Sequence, residues 1–259
     1  MMHSTSSIPK RVRGTLLAVV FWAAVWQLAS MTVDLPLLLP GPVLVAKALW
    51  NLARDMKFWG LVLATLLRVL GGFLLGALAG FILAVLTEFV PFCGDVLAPA
   101  IRVIRATPVA SFILLCMLWM HSGFVPAFIA ALMVLPVVWG NLSEGFRQTD
   151  RNLLEMAQVY GMGRIRTFLL IYLPTALPYF HTACVTGLGM AWKSGVAAEV
   201  LCQPKRAVGT QLYFTKIYLE TENLFAWTAV VIVLSVLVER LYLRLTRKLP
   251  LVHETGTIP

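Results

Sequence analysis

From Leu61 to Phe89 the chain is almost unbroken in apolar residues, with Arg68 the one charge before the last turn. About 20 such residues cross a hydrocarbon core as helix, and lipid offers no water to satisfy a broken backbone. Comparable runs recur at about Gly14–Met31, Ala98–Met120, Val125–Trp139, Thr175–Val200 and Leu224–Leu241. The chain is therefore expected to be all-α, a polytopic helical membrane protein with about six transmembrane helices. Its composition agrees: 13% of residues are charged, against roughly 25% in soluble proteins.

The formal net charge of +9 is no nucleic-acid footprint in such a chain. Excess Lys and Arg are mainly topological signals on the cytoplasmic side. Alternating the runs across a bilayer places Arg102, Arg105, Arg147, Arg151, Arg164 and Arg166 inside, with the basic ends of both termini. Lys47, Arg54, Lys57, Lys205, Arg206 and Lys216 fall outside. The division expected is a cytoplasmic tail over 1–13, a transmembrane part over 14–247 and a second tail over 248–259. The first run is an uncleaved span by its length, although its basic start and Ala29-Ser30 also fit a signal peptide. Val43–Met56 reads as a short amphipathic helix on the outer surface, and Leu201–Glu222 as an outer loop. Arg68 is expected to snorkel to the headgroups.

Cys93, Cys116, Cys184 and Cys202 have no metal-type or redox-type spacing, so no metal is expected. His3, His121, His181 and His253 are scattered, and neither H-E-x-x-H nor G-x-S-x-G occurs. The chain is not expected to be an enzyme. A G-x-x-x-x-G-K-[ST] phosphate loop is also missing, so it should not bind ATP itself.

One segment, Asn141–Pro174, is too charged to span lipid. Thr149 or Asp150 can cap a helix there, Leu153, Leu154, Ala157 and Tyr160 supply an apolar face, and Gly161 a stop. A second short helix, Arg164–Tyr172, is expected to end at Leu173-Pro174. Such a helix pair at a membrane surface is shaped to dock against a partner.

Glu155-Met156-Ala157, then Gly161, then Ile171, Leu173 and Pro174 resemble the EAA loop of permease subunits of bacterial ABC importers. That pattern is E-A-A, three residues, G, nine residues, I, one residue, L-P, and the chain departs from it only at Met156. Thr65-Leu66-Leu67-Arg68 and the stretch Gly189–Glu199 look like the sulfonate/nitrate/taurine branch of that family. The resemblance implies a type I importer permease fold with cytoplasmic coupling helices, in a bacterial inner membrane with both termini cytoplasmic. It implies a second permease subunit, with a homodimer the simpler arrangement, two ATPase subunits that carry ATP and magnesium, and an external solute-binding protein. It also implies ATPase coupling through Arg151, Leu154, Glu155, Ala157, Tyr160, Gly161, Ile171, Leu173 and Pro174. In this reading Leu154, Ala157, Tyr160 and Gly161 enter the ATPase cleft, while Arg151 and Glu155 make rim contacts.

Two glycine-rich patterns complete the reading. Gly72, Gly76 and Gly80 line one helix face, where a second helix can pack closely. In the fifth run a small-residue stripe leads to Glu199, with Lys193 about 120° away on another face. An intramembrane cation suits an anionic cargo, so Trp192, Lys193 and Glu199 are candidates for a translocation route; Glu199 equally fits an interfacial residue. The competing readings are an ion-coupled carrier or channel working without an ATPase, and a permease for a pyrimidine vitamin precursor.

Overall fold

A computed structural model describes residues 10–246. In chain order the helices are α1 (Lys10–Val33), α2 (Pro42–Arg54), α3 (Met56–Phe89), α4 (Pro91–Ala106), α5 (Val109–Trp119), α6 (Val125–Arg147), α7 (Arg151–Val159) and α8 (Arg164–Thr167). A π-helical turn, Phe168–Tyr172, joins α8 to α9 (Leu173–Cys202), followed by α10 (Val208–Ile217) and α11 (Thr221–Thr246). No strand occurs among the described residues. The all-α architecture is as expected.

Four helical stretches are long and apolar enough to cross a membrane: Met56–Phe89, Val125–Arg147, Arg164–Cys202 and Thr221–Thr246. Among the described residues a fifth crossing exists only if α4 and α5 count as one broken span, because the chain bends by 106° between them. The sequence suggested one straight span over Ala98–Met120. Instead Thr107 is extended (ψ 131) before Pro108, whose ring excludes helical geometry from the residue ahead of it. The first run, expected over 14–31, lies within α1. Helix α1 begins at Lys10, within the tail expected to end at 13; residues 1–9 and 247–259, and with them the second tail, lie outside the described residues.

The chain divides into two compact units. The smaller comprises residues up to Trp59 and Phe214–Val230. Its core is Val45, Ala48 and Ala226, with Trp26 stacked on Phe225 and Phe58 on Trp227. The amphipathic stretch foreseen over Val43–Met56 is α2, and it buries Val45 and Ala48 in this core.

The larger unit, Gly60–Tyr213 with the chain from Val231 onward, is organised around α3, α6 and α9. A Cβ added at Gly72, Gly76 or Gly80 would strike the carbonyl oxygens of Ala127, Ala131 and Leu135, so α3 and α6 lie backbone against backbone. Val69, Phe73, Val134, Val138, Leu142, Ala183 and Leu188 fill the space these helices enclose.

Two boundaries depart from expectation. Helix α6 continues through Asn141–Arg147 with Leu142, Gly145 and Phe146 buried, so the start of the polar segment is the end of a span. The stretch taken as an outer loop, Leu201–Glu222, contains the whole of α10.

Candidate functional site

The polar segment proper runs from Gln148 to Arg166. Asp150 is the N-cap of α7: its Oδ1 accepts from the Asn152 amide at 2.9 Å, which satisfies one of the free N–H groups of the first turn. Thr149, the other cap candidate, is buried instead. Helix α7 ends as its glycine requires. Gly161 sits at φ +63°, the Met162 amide donates to Ala157 O at 2.9 Å and the Gly161 amide to Gln158 O at 3.0 Å. This pair of bonds is a Schellman stop, which needs a left-handed residue and favours glycine there.

The orientation of α7 is the main surprise. Ala157 is buried, Leu154 is half-buried, and both face a cleft of their own chain lined by Phe89, Met162 and Tyr172. The outward apolar side chains are Leu153 and Met156, more than 40% exposed, and Val159 and Tyr160, nearly bare at 85% and 78%. Of the residues expected to enter a partner's cleft, Tyr160 and Gly161 are on the outer surface, whereas Leu154 and Ala157 are turned inward. Arg151 and Glu155 are exposed.

The second helix also differs. It does not stop at Leu173-Pro174: α8, the π turn and α9 form one helical run of 39 residues. The Leu173 amide reaches back to Phe168 O, five residues earlier, and this wider turn takes up Pro174, which lacks an N–H and cannot follow a tight α-turn without a clash. The π turn is held from beneath. Phe168 and Tyr172 pack against Phe146 of α6 and Phe89 of α3, with ring centroids 5.5 to 6.2 Å apart, and Ile171 is buried beside them. These four aromatic residues were not foreseen as part of the site; their only signal in sequence is their position at the ends of three apolar runs.

Farther along α9, the residues considered for a route separate. Trp192 is buried, and its indole N–H donates to Val231 O of α11 at 3.1 Å. Glu199 is fully enclosed. Its Oε2 accepts from Thr65 Oγ1 at 2.9 Å and from the Gly209 amide at 3.1 Å, while Oε1 pairs with Arg68 Nη1 at 3.1 Å. Arg68 therefore does not snorkel: Nη1 also donates to the Arg206 carbonyl and Nη2 to that of Lys205. Lys193 alone of the three faces outward. It belongs to an exposed line, Thr182, Thr186, Met190, Lys193 and Ala197, at intervals of three or four that keep to one helix face. Trp192 and Glu199 are core residues, not lining.

Apolar helices long enough to span a membrane, packed around a common core, make this a multi-pass helical membrane protein. The chain belongs to the family of binding-protein-dependent transport system inner membrane components, whose model matches residues 72–250. It is 35% identical to SsuC of Escherichia coli (strain K12), named for aliphatic sulfonates transport, over 73% of this chain and 75% of that one. It is 34% identical to the riboflavin transport system permease protein RibX of Chloroflexus aurantiacus, over 71% and 68% of the two chains. The taurine transport system permease protein TauC of Escherichia coli (strain K12) is 26% identical over 83% and 80%. The crystal structure of an amino acid ABC transporter with histidines has the same fold, with a TM-score of 0.61 at 20% identity, covering 74% of this chain and 94% of that one.

Proposed function

We propose that this chain forms the translocation pathway of an ATP-driven importer for a small anionic solute of the sulfonate, taurine or nitrate kind. An external binding protein delivers the solute, and α7 receives the movement of a separate ATPase. The working unit has two permease subunits, the same chain twice, and two cytoplasmic ATPase subunits that hold ATP and magnesium. The polar segment and both termini lie in the cytoplasm of a bacterial cell.

The observation that carries this reading is the outer face of α7. Leu153, Met156, Val159 and Tyr160 stand exposed on a segment too charged for lipid, and an exposed apolar patch rimmed by Arg151 and Glu155 marks a protein contact. The inner face, with Ala157, seats α7 on its own chain, so a push on the outer face is passed on to α8 and α9. The exposed line of Lys193 on α9 suits a route shared with a second subunit, and its cation suits an anion. Two of the relatives named above are named for sulfonates and taurine, which supports the cargo class.

The test is a crosslink from a cysteine at Met156, in a chain whose four native cysteines have been replaced, to the ATPase purified with it. A nucleotide-dependent crosslink from Met156, and none from Ala157, is expected. No crosslink, with no ATPase in the purified complex, would sink the importer reading. Uptake by the reconstituted importer of taurine or an alkanesulfonate, in preference to riboflavin, checks the cargo.

A further inference from the structure

Residues 203–209 form a surface loop that is fixed with unusual thoroughness. The Arg68 guanidinium holds two successive loop carbonyls, Lys205 O at 2.9 Å and Arg206 O at 3.0 Å. Thr65 Oγ1 accepts from the Val208 amide at 3.0 Å, and Glu199 from the Gly209 amide, so the carboxylate caps the start of α10. Thr210 Oγ1 ties the Pro204 carbonyl at 2.8 Å. At Gly209 even a methyl group would collide with Glu199 and the backbone of Val200. Two non-glycine residues, Gln203 (φ 47°) and Arg206 (φ 57°), are held in the left-handed region. Such strain persists only where the surroundings over-determine it, and it collects at functional positions.

What this framework displays is a pair of cations. Pro204, Ala207, Val208 and Gly209 are buried, while the side chains of Lys205 and Arg206 are exposed between them. The 39-residue run from α8 through α9 is about 58 Å long at 1.5 Å per residue, well beyond a hydrocarbon core of about 30 Å. The loop after its end therefore stands on the opposite side of the membrane from the polar segment.

We infer that Lys205 and Arg206 are a fixed dibasic contact for an acidic surface of the external binding protein, with Arg68 and Glu199 as the residues that position it. The inference rests on the importer reading above. A loop whose backbone is already held in one conformation loses little freedom on binding, and complementary charge raises the rate of productive encounter.

The experiment measures ATP hydrolysis by the importer in nanodiscs as its purified, solute-loaded binding protein is titrated in. In Lys205→Glu/Arg206→Glu the concentration for half-maximal stimulation should rise at least tenfold at low salt, and the gap from wild type should narrow as salt is raised. Glu199→Gln frees the loop but leaves both tip charges; it should raise the same concentration severalfold and retain the salt dependence. An unchanged half-stimulating concentration in the double reversal overturns the proposal. A lower plateau at an unchanged half-stimulating concentration assigns the cations to cargo passage and also overturns it. A shift confined to discs with anionic lipid assigns them to headgroups, which overturns it as well. Wild-type importer that no binding protein stimulates removes the importer reading itself, whereas failure in the variants alone removes only the dibasic contact.

Discussion

Nη1 of Arg68 lies 3.1 Å from Oε1 of Glu199, joining residues 131 positions apart in the chain. The carboxylate has no exposure at all, and every one of its partners comes from elsewhere in the same unit. Removing Arg68 leaves the Glu199 carboxylate as an uncompensated buried charge, at a cost of about 3–5 kcal/mol. Removing Glu199 instead strands its buried donors, Thr65 and the Gly209 amide. Arg68→Ala and Glu199→Ala should each lower the unfolding temperature of the detergent-solubilised protein sharply. The paired replacement Arg68→Met/Glu199→Met should recover part of the loss, because no charge is then stranded. Recovery should be incomplete, since the Gly209 amide would still lack its acceptor. Equal losses in the singles and the pair would mean that the ion pair is not the source of the stability.

Neighbouring glycines in α3 give an internal control. Gly72 faces Ala127 and Ala130, whereas a Cβ at Gly71 meets nothing within 4 Å. Gly72→Ala should destabilise by about 1–3 kcal/mol through overpacking. Gly71→Ala should be neutral or stabilising by up to about 1 kcal/mol, as expected when glycine is removed from a helix interior. Thermal unfolding of the two variants side by side decides it.

For α7 the structure separates docking from folding. Met156→Arg and Tyr160→Glu alter only outward side chains, so the protein should purify with its usual yield and melting temperature while ATPase association falls at least tenfold. Ala157→Arg should instead impair folding, because it puts a charge on the buried face that seats α7 against its own chain. Co-purification of the ATPase with each variant, read beside its melting curve, tests the assignment of the two faces.

Much of α7 was open to sequence reasoning, and its orientation was not. The cap at Asp150, the stop at Gly161 and the spacing to Leu173-Pro174 are local features, readable from residues a few positions apart. Which apolar face turns inward is not local. Leu154 and Ala157 look as suitable for a partner as Leu153 and Met156 until Phe89 and Tyr172 are brought against them. Arg68 was misjudged for a similar reason: near the end of an apolar run, snorkelling is the default, and its true partner lies far along the chain. The break between α4 and α5, by contrast, was signalled by Thr107-Pro108 and hidden only by the hydrophobicity on either side. Helix α10 was concealed by the proline and the charges that precede it, Pro204, Lys205 and Arg206, and by Gly209 in its first turn.

Lys193→Met should abolish most uptake by the reconstituted importer while leaving assembly with the ATPase intact. The side chain faces away from its own core, so its loss should not change the melting temperature. Uptake at the wild-type rate would remove Lys193 from the route.

The π turn at Phe168–Tyr172 has a mechanical corollary. A π turn amounts to an α-helix with one residue inserted, and each residue of an α-helix advances the screw by about 100°. The wide turn absorbs that extra residue, so α9 and the α7–α8 pair keep close to the angular phase of an unbroken helix. Deleting Leu170, an exposed position, together with Pro174→Ala to remove the ring that needs the wide turn, should yield an uninterrupted helix. Every side chain of α7 would still be present. They would also keep nearly the same bearing about the axis, because the deleted residue is the one that the wide turn had absorbed.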